Sequence, residues 1–123
     1  MPFNFDDAVD EIMRRDNSFA PDAYGFMRQA MDYAVEEFHK GGEQPHLSAE
    51  ELYMGFCAYA LQEYGPMASA VLEHWGVNSS TDVGCIVYNL IDAGVFGRQE
   101  GDTQEQFNEL TPLEVLLDLP YMA

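Results

Sequence analysis

Three residues at helical spacing are the part of this sequence whose side chains could bind a metal ion. Glu36 and His39 form a Glu-x-x-His pair, and Asp32 lies one turn earlier on the same face. Di-iron carboxylate bundles use two such pairs and further glutamates, all pointing inward. No second pair lies on a predicted helix, and His39 is next to Lys40 at a helix end. We therefore interpret this face as solvent-exposed, predict no cofactor, and keep a metal-dependent enzyme as the third hypothesis.

Acid–base catalysis would need two carboxylates, or a carboxylate and a histidine, held in a cleft with shifted pKa values. Adjacent acids are abundant, and solvated helix faces and first helical turns account for nearly all of them. His46 and His74 have no evident partner nearby in the sequence. The sequence contains no GxSxG motif, P-loop or dinucleotide-binding fingerprint. These observations favour a protein that is not an enzyme.

The helices that would position these side chains are predicted from apolar spacing and caps. The first begins after Asn4 and places Ala8, Val9 and Ile12 on one face. The second opens at Pro21, and its expected buried stripe runs from Ala23 to Phe38. That stripe comprises Ala23, Met27, Ala30, Met31, Ala34 and Phe38. Ser48-Ala49-Glu50-Glu51 is a capping box for the third helix.

Two further helices are predicted at 67–75 and 80–93, closed by Gly76 and Gly94. Trp75, the single tryptophan, is expected to pack inside against the later of them. Residues 94–110 fit either a small, wing-like β-hairpin or an irregular excursion, and a last short helix begins at Thr111-Pro112. The predicted fold is mainly α: a compact single domain, residues 1–123, of five to six helices, with the hairpin as an option.

Net charge is the most informative bulk property of the chain. Twenty-two acidic residues face five basic ones, a formal net charge of −17. Such a field repels nucleic-acid phosphates and anionic lipid headgroups and attracts basic proteins and cations. We therefore expect a basic protein partner, no nucleic acid and no membrane, and the oligomeric state stays open. Adaptation to a saline cytoplasm explains the same acidity, since only one lysine is present.

A winged-helix regulator is the second hypothesis, because helices at 48–64, 67–75 and 80–93 followed by a hairpin match that order. The helix that would enter the major groove contains no Lys or Arg, and the wing offers only Arg98 against four acids. A DNA-reading surface depends on phosphate neutralisation. The leading hypothesis is instead a non-catalytic module that binds other proteins.

The two cysteines, Cys57 and Cys85, lie in apolar segments and form no CxxC pair. We expect two thiols that act as small buried hydrophobes, although a disulfide between them is possible from sequence. No apolar run reaches the roughly 20 residues of a membrane span. The acidic start of the chain differs from a secretory or transit signal. A cytoplasmic location is the expectation.

Several stretches, in this order and spacing, resemble a family of small bacterial proteins that has no established activity. They are Phe19–Phe26 with Ala30–Tyr33, His46–Leu52, Tyr64–Pro66, His74–Val77 and Thr81–Ile91. The resemblance covers roughly residues 3–120 and is loosest at Asp102–Phe107. It implies no cofactor, partner or functional residue, because none is established for the family.

Overall fold

The computed structural model describes residues 4–38, 47–97 and 103–121, and within these ranges the chain is mainly helical and contains no strand. In the same ranges, five α-helices of seven residues or more are followed by one further helical turn. They are α1 (Phe5–Arg15), α2 (Pro21–Phe38), α3 (Ala49–Tyr64), α4 (Ala68–His74), α5 (Ser80–Asp92) and the turn α6 (Leu113–Leu117). Short 3-10 segments lie at Gly65–Met67, Gln104–Phe107 and Leu119–Tyr121. The mainly α fold class is confirmed.

The predicted starts of three helices, α1, α3 and α5, are confirmed by their capping hydrogen bonds. The side chains of Asn4 and Ser79 accept bonds from backbone N–H groups three residues later. At α3 the capping box is complete, because Ser48 Oγ accepts from Glu51 N–H and Glu51 Oε1 accepts from Ser48 N–H, both at 3.0 Å. These bonds satisfy donors that a helix start otherwise leaves without partners.

The core lies mainly between α2 and α3, with α5 packed against both. Met27, Phe56 and Leu90 are each 1% exposed or less, as the apolar spacing predicts. The prediction was wrong for Phe38, which is 44% exposed. It is the final residue of α2, one turn beyond the last buried residue of that helix, Ala34.

The β-hairpin offered for residues 94–110 is not confirmed, since its described parts, 94–97 and 103–110, contain a turn and a 3-10 segment instead. After α5, Gly94 adopts a positive φ of 81°. The N–H groups of Val95 and Phe96 then donate to the carbonyl of Leu90, which closes the helix. The backbone groups that a first strand would offer for pairing are thus used by the helix end.

The C-terminal segment completes the core over α3, α4 and α5. Phe107 lies against α5, where its Cβ approaches Gly84, and Leu113 and Leu117 are buried. The hydroxyl of the fully buried Tyr53 donates to the carbonyl oxygen of Thr111, which joins α3 to the start of α6. The described ranges therefore share one continuous core, as a single domain requires.

Candidate functional site

The predicted metal-binding face is not assembled in the described part of the chain. Asp32 and Glu36 both lie exposed on α2, and His39 lies outside the described residues. Within the described ranges, no group of three or more Asp, Glu, His or Cys side chains could hold a metal ion. A metal-dependent enzyme remains a hypothesis that no geometry on these ranges favours.

A partly buried polar network joins the end of α1 to α2 and α5. Asn89 Nδ2 donates to the Tyr24 hydroxyl at 3.0 Å and to Asp16 Oδ2 at 3.3 Å. Hydrogen bonds from the side chain and backbone of Ser18 lower the pKa of Asp16, and burial raises the pKa of Tyr24. At neutral pH the Asp16 carboxylate is therefore charged and the Tyr24 phenol is neutral. These fixed protonation states suit a structural link between helices.

The two cysteines are free thiols in different surroundings, and we expect them to react at different rates. Cys57 is buried, and that burial raises the pKa of its thiol to about 12. Cys85 is half-buried, and its sulfur accepts a hydrogen bond from Gln104 Nε2 at 3.3 Å. Reactivity follows thiolate fraction and exposure. Iodoacetamide at pH 8 should therefore modify Cys85 before Cys57 in the folded protein, as read by mass spectrometry.

Adding denaturant should make the two thiols react at similar rates, because both would then have ordinary pKa values. The variant Cys85→Ser leaves Cys57 as the single thiol and should stay unmodified until the protein unfolds. Equal rates for both cysteines in the folded protein would contradict the different burial described above.

The feature best suited to binding is a groove of about 480 Å³ between α1, the start of α2 and the junction of α3 with α4. We call it the aromatic groove. Its rim carries three exposed carboxylates, Asp6 and Asp10 of α1 and Asp22 of α2. Asp6 and Asp10 are four residues apart and so lie on one face of the helix. Among the residues that line the groove in the described ranges, none is basic.

Aromatic rings form the floor of the aromatic groove. Phe26 lies at its centre, with ring centroids 5.7 Å from Tyr64 and 5.4 Å from Trp75. Tyr64 and Trp75 meet edge to face at 6.0 Å. Trp75 is 8% exposed, so the prediction that it is buried is confirmed. The two rings beside it, Phe26 and Tyr64, belong to α2 and α3, whereas the sequence predicted packing against the fifth helix.

One cation of the chain already lies on an aromatic ring of this groove. The guanidinium carbon of Arg28 is 4.6 Å from the centroid of the Phe5 ring. That distance is within the roughly 6 Å over which a cation is attracted to a ring face. Arg28 itself is exposed, so the contact lies at the surface. The groove thus combines acidic side chains with rings, the two groups that attract a guanidinium or ammonium.

The sequence analysis did not identify this groove. Its acidic half has a signal in the sequence, because Asp6 and Asp10 share a face of a predicted helix. Its aromatic half has no signal in the sequence. Tyr64 and Trp75 contact Phe26 only because the turn at Gly65–Met67 redirects the chain into α4. Spacing along one helix does not show which ring from another helix will lie beside it.

The proposed DNA-reading helix differs from a recognition helix in its surroundings. Six of the thirteen residues of α5 are buried, and α5 packs against α1, α2 and the 3-10 segment Gln104–Phe107. Its sequence, Ser80–Asp92, contains no basic residue. Phosphate neutralisation is therefore not available on this helix.

None of the helices in the described ranges combines the length and the apolarity needed to cross a lipid bilayer. Comparison with known proteins adds no relative: no protein-family model, curated protein or solved structure matches the chain. The aromatic groove and the charge of the molecule are therefore the features that bear on its function.

Proposed function

We propose that this chain is a non-catalytic cytoplasmic protein that binds a basic segment of another protein in the aromatic groove. The observation that carries this proposal is the joint presence of three rim carboxylates, Asp6, Asp10 and Asp22, over a floor of aromatic rings. An arginine or lysine side chain can place its charge near the carboxylates and its methylene stem or guanidinium on a ring. The pair Arg28 and Phe5 is an example of this contact within the chain.

The charge of the whole molecule supports the same partner. A net charge of −17 on 123 residues accelerates the approach of positively charged proteins and discourages acidic ones. Exposed carboxylates alone give weak and strongly salt-dependent attraction. The rings supply contact that salt does not screen, so binding in the groove should persist at physiological ionic strength.

A protein segment suits this groove better than a single small cation. The groove is open, and its lining residues come from α1, α2, the end of α3 and Trp75, the residue that follows α4. A segment with several basic side chains can reach more than one rim carboxylate at once, which raises affinity without a deeper pocket. The resemblance to small bacterial proteins is part of the same proposal, and it would place the partner in a bacterial cytoplasm.

Removing the three rim charges tests the proposal directly. We expect the triple variant Asp6→Asn, Asp10→Asn, Asp22→Asn to bind a hexa-arginine peptide about tenfold more weakly, a loss of about 1.4 kcal/mol. Trp75 fluorescence measures the binding, because it is the single tryptophan and lines the groove. Titrations are made at about 150 mM salt, where the Debye length is about 8 Å and distant charges contribute little.

The matched control removes three exposed charges that do not line the groove: Asp7→Asn, Glu37→Gln and Glu50→Gln. Both triple variants have the same net charge, so the control separates the groove from the general field. We expect its affinity to stay within about threefold of the original protein, because those charges are screened. Equal weakening in both variants, or no saturable binding at this salt, would refute the groove as the binding site.

A further inference from the structure

A second cleft, of about 460 Å³, lies between the start of α5 and the C-terminal residues 109–118. It has no lining residue in common with the aromatic groove. Polar groups of two kinds line it: hydrogen-bond donors at the N-terminus of α5 and several carboxylates. We call it the α5 cleft.

Ser80 is the buried polar residue of the α5 cleft, and its hydroxyl lacks a partner in the part of the chain that the structure describes. It is the first residue of α5 and only 6% exposed. Across residues 4–38, 47–97 and 103–121, no side chain or backbone group forms a hydrogen bond with its hydroxyl. The hydroxyls of its two neighbours do have partners. Ser79 Oγ accepts from Asp82 N–H at 3.1 Å, and the Thr81 hydroxyl donates to Asn108 Oδ1 at 2.9 Å. Buried hydroxyls normally have a partner, so this one points to a ligand.

Two backbone donors lie beside that hydroxyl. The N–H groups of Ser80 and Thr81 are in the first turn of α5, and within the described ranges no carbonyl accepts from them. In contrast, the N–H of Val83 reaches the Ser79 carbonyl at 3.2 Å. Free N–H groups at the start of a helix of thirteen residues favour a negatively charged group such as a carboxylate.

Carboxylates and apolar side chains form the rest of the α5 cleft. The acidic residues are Glu73, Glu109, Glu114 and Asp118, and Asp118 is held by a hydrogen bond of 2.6 Å from the Ser69 hydroxyl. Leucine and valine side chains lie among them. A simple anion would be repelled by four carboxylates, and a simple cation would leave the donors of Ser80 and Thr81 without an acceptor.

We propose that the α5 cleft binds a free α-amino acid with an aliphatic side chain. Its carboxylate accepts from the N–H groups of Ser80 and Thr81 and from the Ser80 hydroxyl. Its ammonium group lies near the acidic side chains, and its aliphatic side chain contacts Leu72 and Leu113. Such a ligand carries no net charge, so the acidic field of the protein does not exclude it.

The experiment compares L-leucine with two analogues that each lack one charged group, 4-methylpentanoate and 3-methylbutylamine. Nuclear magnetic resonance titration of the Ser80 and Thr81 amide signals should show saturable shifts with leucine, and binding at least about tenfold weaker with either analogue. Equal binding of the amine would show a plain cation site and overturn the proposal. If none of the three compounds reaches saturation by about 10 mM, any binding is weaker than the millimolar range, and this result would also overturn the proposal.

Variants of two cleft residues complete the test. Ser80→Ala should weaken leucine binding about tenfold while leaving the thermal midpoint unchanged, because the hydroxyl has no hydrogen bond to lose among residues 4–38, 47–97 and 103–121. Ser18→Ala is the control and should keep the original leucine affinity, since Ser18 is an exposed serine that does not line the cleft. If Ser80→Ala lowers the midpoint, Glu114→Gln provides the second variant, at an exposed position of the cleft. Unchanged leucine affinity in both cleft variants would overturn the proposal.

Discussion

Replacing Gly76 by alanine is expected to lower the free energy of unfolding by about 2–5 kcal/mol. Gly76 has a φ of 91°, a backbone conformation that costs a residue with a Cβ about 1–2 kcal/mol. An added Cβ would also lie 2.6 Å from the carbonyl oxygen of Ser18, a backbone atom that cannot turn aside. Overpacking of this kind typically costs a further 1–3 kcal/mol, roughly. Urea denaturation monitored by circular dichroism gives the free energy.

Gly94→Ala is the matched control for Gly76→Ala. Gly94 also closes a helix with a positive φ, of 81°, but no atom of the described residues lies within 4 Å of the position that an added Cβ would take. Its substitution should therefore cost only the conformational part, about 1–2 kcal/mol. The difference between the two variants measures the close approach of the chain at Ser18 to the end of α4. Equal losses in both would show that this approach carries no energetic weight.

Gly55→Ala is expected to destabilise the protein by about 1–2 kcal/mol, although alanine is the better helix former. A Cβ on Gly55 would lie 2.5 Å from Ala34 Cβ and 3.1 Å from Ala34 Cα. Both residues lie where α2 and α3 cross, so the two helices must separate to admit the methyl group. The loss from overpacking, about 1–3 kcal/mol, exceeds the gain in helix propensity of about 0.5–1 kcal/mol.

Gly25→Ala is the control for Gly55→Ala, because Gly25 lies within α2 and no atom in the described part of the chain is within 4 Å of an added Cβ. At Gly25 the gain in helix propensity is not offset by overpacking, and we expect the variant to be more stable by about 0.5–1 kcal/mol. The double variant Gly55→Ala, Ala34→Gly should recover part of the loss at Gly55, since it returns the space at the crossing. A stabilising Gly55→Ala would mean that α2 and α3 are less closely packed than these distances imply.

The helices of this chain were predictable where local chemistry decides their ends. Asn4 and Ser48 are predicted caps, and both cap their helices in the structure. The segment after α5 was harder, because Val95 and Phe96 favour a strand by type but donate to the end of the preceding helix. A signal for the 3-10 segment was present, since Thr103 and Gln106 have capping-box spacing and the Thr103 N–H donates to Gln106 Oε1 at 3.2 Å.

The candidate binding surfaces were less predictable than the helices. Asp32 and Glu36 had metal-ligand spacing on one helix, and the described structure leaves both exposed. The aromatic groove and the α5 cleft instead combine residues distant in sequence, such as Phe26 with Trp75 and Ser80 with Glu114. Their positions depend on how helices cross and how the C-terminal segment returns, which are properties of the packed molecule.

The hydrogen bond between Tyr53 and Thr111 has a consequence for the order in which the chain folds during synthesis. Its two partners are 58 positions apart, and Phe107 covers Gly84 of α5 from the same late segment. A nascent chain that ends before residue 107 therefore has α3 and α5 with unfilled apolar faces. Such faces bind chaperones or other nascent chains. We infer that α3 and α5 reach their native packing only after residues 107–111 have left the ribosome.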